Sequence, residues 1–196
     1  MATLRTYVFA FSMIFFSAGN AFAQNQSEQN EVVCDTIYKN YKIRLIKIAE
    51  DEYNEDVPNT IFSFQKLING KYVEVFKDSI YSKSQYVMFE DFNKDNVKDI
   101  LVSHTSDTRS NEMYYLYLLD VKNNSLKKVK RFTEIKNPRF IRKYGIIESY
   151  VVSGTNWLTF YKLEKDTIRE FEVIVTDKQD SPNSFDKVTR KRFKKY

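Results

Sequence analysis

The chain predicts an all-β fold, a single antiparallel domain, and three observations predict it. Glycine and proline are scarce, 4 and 3 residues in 196, while 14 tyrosines and 16 phenylalanines supply rings that suit a pleated, half-buried surface. Short apolar runs recur with polar turns between them. One hairpin is spelled out locally: residues 61–68, then Asn69-Gly70, then residues 72–76, with Asn-Gly ready to take the positive φ angles of a type I′ turn.

Comparable runs lie at 41–48, 80–89, 100–103, 113–121, 126–132, 146–152, 157–163, 168–175 and 188–193, separated by turns such as Lys122-Asn123-Asn124-Ser125 and Glu164-Lys165-Asp166. Some ten short strands at this spacing predict a β-sandwich, a barrel or a propeller-like arrangement, among which the pattern does not choose. Within 35–55 a helix is the alternative, because Ile43, Leu45 and Ile46 fit either period poorly.

Residues 1–23 read as a secretory signal peptide. Arg5 opens it, an almost unbroken apolar run follows from Tyr7 to Phe16, and Ala21-Phe22-Ala23 gives the small-x-small pattern before Gln24. The run is too short for the roughly 20 residues that cross a bilayer, so no membrane span is expected. Cys34, the one cysteine, stands too far downstream to be a lipoprotein cysteine and can form no disulfide within the chain. Residues 24–31 contain nothing to bury and read as a disordered spacer, which leaves 32–196 as the domain and a periplasmic or secreted location.

Without Arg5, the 31 basic residues fall to 30 against 26 acidic, a net of +4. The excess gathers at Lys187, Arg190, Lys191, Arg192, Lys194 and Lys195, which suits either contact with an acidic partner or an anionic membrane surface or, the favoured reading, a solvated edge strand whose lysines discourage edge-to-edge pairing. Nucleic acid is not expected as the partner of an exported chain.

The sharpest chemical signal is Asp91-Phe92-Asn93-Lys94-Asp95-Asn96-Val97-Lys98-Asp99. Asp91, Asn93, Asp95 and Asp99 place side-chain oxygens at relative positions 1, 3, 5 and 9, and Val97 offers its carbonyl at position 7, a spacing that converges oxygens on a hard cation. Ca2+ is the cofactor this predicts, since no Cys or His is present for zinc. Asn96 stands where an EF-hand has glycine, and Val102 where it has glutamate, so another ligand must complete the shell; Glu90 and Glu112 are the nearest carboxylates in sequence. The loop joins two strands, and without metal it would be an Asx-rich turn.

This strand–loop–strand pattern resembles the calcium loop of FG-GAP and VCBS-type repeats, which build β-propellers. The order of later features, Met113-Tyr114-Tyr115-Leu116-Tyr117, Glu134-Ile135-Lys136-Asn137-Pro138, Ile146-Ile147-Glu148-Ser149 and then Trp157 to Tyr161, resembles a family of small periplasmic bacterial proteins that includes the immunity partner of a type IV secretion lysozyme-like effector. The resemblance covers about half the chain. It implies a calcium-bound, β-propeller-like protein that inhibits a peptidoglycan hydrolase. Ser153-Gly154-Thr155-Asn156-Trp157 is also similar to the Ser-Gly-x-x-Tyr loop of periplasmic lysozyme inhibitors, with Trp157 in the aromatic place; Ser153, Gly154, Asn156, Trp157 and Tyr161 are therefore the expected partner-binding residues.

An enzyme is not expected. The sole histidine, His104, has no nucleophile motif beside it and reads as a solvent-facing strand residue; no His-x-x-x-His pair, Cys-x-x-Cys pair or glycine-rich phosphate loop occurs. The carboxylates are numerous enough for a glycosidase, but their spacing supports none. Three functions remain: an inhibitor or immunity protein against a cell-wall hydrolase, a calcium-stabilised glycan-binding or surface adhesion module, and an unrecognised hydrolase.

Overall fold

In the computed structural model the residues described are 29–33, 39–49, 54–175 and 193, with the backbone alone described at 29–33 and 171–175. The expected signal peptide, Cys34 and the basic run after Lys187, apart from Phe193, lie outside them.

Among the described residues twelve strands follow one another: β1 (Gln29–Val33), β2 (Tyr41–Lys47), β3 (Thr60–Ile68), β4 (Lys71–Ile80), β5 (Val87–Glu90), β6 (Asp99–Ser106), β7 (Glu112–Asp120), β8 (Ser125–Lys128), β9 (Pro138–Ile141), β10 (Ile146–Val151), β11 (Trp157–Glu164) and β12 (Thr167–Val175). They form three four-stranded sheets, β1-β2-β3-β4, β5-β6-β7-β8 and β9-β10-β11-β12, each an antiparallel meander of consecutive strands. The all-β antiparallel expectation holds. The Asn69-Gly70 turn also forms as expected, with φ of 50° and 78°.

The sheets stack face on face. Ile100 and Val102 of β6 and Tyr117 and Leu119 of β7 join Ile43, Leu45, Phe62, Phe64 and Ile80 in a core between the first and second sheets. Leu101, Tyr114 and Leu116 point the other way, into a core with Phe140, Ile147, Tyr161 and Ile168 of the third. This alternation is what a pleated strand buried on both faces requires. Of the arrangements open at the outset, the sandwich fits this packing, and no barrel closes among the described residues.

Polar links fasten the layers at their rims. Asp78 of β4 accepts hydrogen bonds from the Tyr117 hydroxyl at 2.8 Å and Lys128 Nζ at 2.7 Å, and Asn124 Oδ1 accepts from the Tyr41 hydroxyl at 2.5 Å and Lys66 Nζ at 2.6 Å. Between the second and third sheets the chain makes one 3₁₀ turn, Phe132–Glu134, entered through Arg131 at a φ of 64°.

Several expectations are corrected. Strand β1 begins at Gln29, inside the segment expected to be disordered; backbone pairing with β2 needs no apolar side chain. The run 80–89 is split: Ile80 ends β4 and strand resumes only at Val87, because the Ser82 hydroxyl accepts from the Gln85 amide and the Ser103 hydroxyl from the Tyr86 amide, taking backbone donors that a ladder would use. The run 126–132 stops at Lys128, and no α-helix occurs among the described residues. His104 does not face solvent: its side chain is 13% exposed, between the rings of Tyr81 and Tyr115.

Candidate functional site

The carboxylate loop sits where β5 leaves and β6 begins, with Glu90 paired to Asp99 across the ladder. Lys94 and Asn96 take φ of 65° and 69°, so the expectation that Asn96 replaces glycine in the left-handed region is met. Asp91 is buried at the loop's base, where Oδ1 accepts from the Lys94 amide at 2.7 Å and Oδ2 from the Asn96 amide at 3.2 Å. Asn93 and Asp95 lie in solvent and close Asx turns onto the amides of Asp95 and Val97. The Val97 side chain packs against the first core and ties the loop down.

Asp99 is fully buried. One of its oxygens accepts from the Phe92 amide at 2.9 Å and the other from the Leu119 amide at 3.1 Å, so it bridges the loop to β7. Burial raises its pKa to about 7, with the Asp95 and Asp91 charges adding to the rise and the two amides opposing it. Burial also raises Glu90, where Asp91 adds to the rise and Arg142 opposes it.

Opposite the loop stands the β9–β10 turn, residues 142–145. Arg142 Nη2 donates to Asp91 Oδ2 at 2.6 Å. Gly145, at a φ of 64°, lies so close to Lys94 that a Cβ there would be 2.9 Å from its ammonium. Arg142, Glu90, Asp91, Asn96 and Lys98 share an open cavity of about 470 Å³.

By donor chemistry, Asp91, Asn93, Asp95, the Val97 carbonyl and Asp99 fit a hard, oxygen-seeking cation. Among the described residues, however, no three Asp, Glu, His or Cys side chains converge as a preformed ion cage does. Hydrogen bonds close the loop, and Arg142 meets the charge of Asp91. Of the carboxylates nearest in sequence, Glu90 adjoins the loop. Glu112 does not: it pairs with Ser106 at the far end of β6 and accepts from the Tyr114 hydroxyl.

The second expected site lies at that far end. Eight residues of β6 separate the two, roughly 23 Å at about 3.3 Å per residue. Val152 follows the last residue of β10, and residues 153–156 turn the chain into β11. The turn is internally braced: the Ser153 amide donates to Asn156 Oδ1 at 3.0 Å and the Ser153 hydroxyl to the Thr155 carbonyl. Gly154 has nothing against it, and Trp157 is half-buried at the start of β11. Tyr161 is corrected. At 8% exposure it belongs to the core between the second and third sheets, four residues into a strand whose register fixes its face, and it is withdrawn as a partner-binding residue.

Sequence reasoning missed Asn111, the residue that holds this turn. Its side chain, in the connection between β6 and β7, accepts from the Val152 amide at 2.8 Å and donates to the Val152 carbonyl at 2.9 Å. Asp107 accepts from the same Nδ2 and from Lys136 Nζ at 2.8 Å; Asn137 Nδ2 donates to Asn111 Oδ1 at 2.8 Å. The Lys136 bond, followed by those of Asn111, holds the Asp107 carboxyl well below the usual range. No local motif marks Asn111 or Arg142, since their partners lie 41 and 51 residues away.

Fold and sites define an all-β antiparallel protein of three stacked four-stranded sheets. No protein-family model and no curated protein matches the chain. Among solved structures, that of a Xanthomonas type IV secretion system related protein is similar, with a TM-score of 0.48 and 12% identity over 80% of this chain and 85% of that one. Likeness at that level assigns neither activity nor partner. No described helix is long and apolar enough to cross a membrane.

Proposed function

We propose that the chain is an exported, non-enzymatic recognition protein that inhibits a lysozyme-like peptidoglycan hydrolase. It presents Ser153, Gly154, Asn156 and Trp157 to the enzyme's cleft and gains stability from Ca2+ held by Asp91, Asn93, Asp95, Val97 and Asp99. The observation that carries this reading is the Asn111 clamp. A turn fixed at both polar groups of Val152 and braced by Asn156 gives up little conformational freedom on binding, the property an inhibitory loop needs. The single tryptophan at its edge supplies an aromatic anchor of the kind that dominates interfaces.

Bound calcium would supply positive charge to the carboxylate loop, and the roughly 23 Å length of β6 between that loop and the other end of the strand supports a structural role for it. The test is cell-wall lysis by a panel of purified lysozyme-like hydrolases with and without this protein. Inhibition of one member, lost on joint replacement Asn156→Ala and Trp157→Ala in a folded variant, is expected. If the wild-type protein inhibits and binds none of them, the reading fails.

A further inference from the structure

A cleft of about 320 Å³ opens at the same end of the second sheet, apart from the turn 153–156, and its lining includes Lys83, Tyr86, Thr105, Ser106, Glu112 and Tyr114. We propose that it binds a short uncharged oligosaccharide, with the Tyr86 ring as the stacking platform.

Tyr86 is half-exposed at 50%, although its backbone is held: its amide donates to the Ser103 hydroxyl at 3.0 Å and its carbonyl accepts from the Ser103 amide at 2.8 Å. Ser103 is itself buried and hydrogen-bonded to the Ser82 hydroxyl at 2.9 Å, and the Lys83 amide donates to the His104 carbonyl at 2.9 Å. The segment carrying Tyr86 is thus fastened to β6 without being a strand. A ring is displayed to solvent from a fixed base, as a flat apolar sugar face requires.

Behind it, Tyr114 is buried, its hydroxyl donated to Glu112, and its ring forms part of a firm wall. The rest of the lining suits a polyhydroxylated ligand. Ser84 and Ser106 carry hydroxyls, Lys83 donates, and Glu112 accepts. Lys83 and Glu112 balance each other in charge, which favours a neutral ligand over an anion. The volume lies at the lower end of the range for small-ligand sites and suits one or two sugar rings. Because the cleft shares no residue with 153–157, a glycan bound here leaves the proposed inhibitory turn free.

Chitotetraose, cellotetraose and maltotetraose, each titrated to millimolar concentration into the ¹⁵N-labelled full chain, are the test. Amide shifts at 83–86, 103–106 and 112–114 are expected with at least one of them, and Tyr86→Ala should weaken that binding about tenfold or more while Tyr86→Phe retains it. The melting temperatures of both variants show whether they fold; should Tyr86→Ala unfold, the shift map of the wild-type protein decides. No binding by any of the three, shifts confined to other residues, or a folded Tyr86→Ala that binds like wild type would overturn the assignment. Hydrolase inhibition is read in a separate assay, so either proposal can fail without the other.

Discussion

Asn111 holds Val152 by both of its backbone polar groups, donating to the carbonyl at 2.9 Å and accepting from the amide at 2.8 Å, from a connection 41 residues away in sequence. Asn111 is 1% exposed, so its own amide has to be met by protein groups. Its amide thereby takes the place of a neighbouring strand at the end of β10.

Replacing Asn111 by Ala removes this bracket and leaves Val152, Asp107 and Asn137 each short of a partner. The two hydrogen bonds to Val152 alone correspond to a loss of about 1–3 kcal/mol, measured by urea unfolding. Trp157 is the only tryptophan, so its emission shifting to the red before global unfolding would show that the turn loosens first. An unchanged spectrum in a folded Asn111→Ala protein would show that the turn holds without the clamp.

Acid should reach the same device late. The Asp107 carboxyl is held below its ordinary pKa by Lys136 and Asn111, so its contribution is fully present above the unfolded value of about 4 and is lost as pH falls through the lower folded one. The Trp157 emission of the wild-type protein should therefore hold at pH 4 and change only below it. In Asp107→Asn, which cannot pair as an anion with Lys136, the acid transition assigned to this carboxyl should disappear.

Arg142 already neutralises Asp91, so calcium must compete with a guanidinium at 2.6 Å. Arg142→Gln should make the thermal stabilisation by calcium larger than in wild type, and Asp91→Ala with Asp95→Ala should abolish it. At calcium about a hundredfold above its Kd, the gain corresponds to about 2.7 kcal/mol. A flat melting temperature in both the wild-type and Arg142→Gln proteins would remove calcium from the account of this loop.

Gly145→Ala should cost about 1–2 kcal/mol for the left-handed backbone alone. The far end of Lys94 can move aside, so adding Lys94→Ala should recover little, as a denaturant titration of the single and double variants would show. Full recovery would assign the cost to crowding instead.

How much was legible beforehand follows from the range of each interaction. The Asn69-Gly70 hairpin and the left-handed Asn96 are decided within a few residues and were readable. The strand limits at 81–86 were not, because the hydroxyls that divert those amides include that of Ser103, on another strand. Strand β9, four residues long, is too short to stand out as an apolar run; its Pro138 is at the first position of an edge strand, where no donor is missed. Tyr161 could have faced either way until the β10–β11 register was known. Of the candidate sites, the carboxylate loop was visible as contiguous residues, whereas Arg142 and Asn111 reach their partners only through the stacking of sheets.

The middle sheet also limits how the molecule can be cut down. Without the third sheet, Leu101, Tyr114 and Leu116 would meet water; without the first, Ile100, Val102, Tyr117 and Leu119 would. Either two-layer fragment bares an apolar slab beside open strand edges, so truncation from one side should yield insoluble material. The turn at 153–156 and the carboxylate loop are thus properties of the whole stack and should not survive isolation as peptides or half-domains.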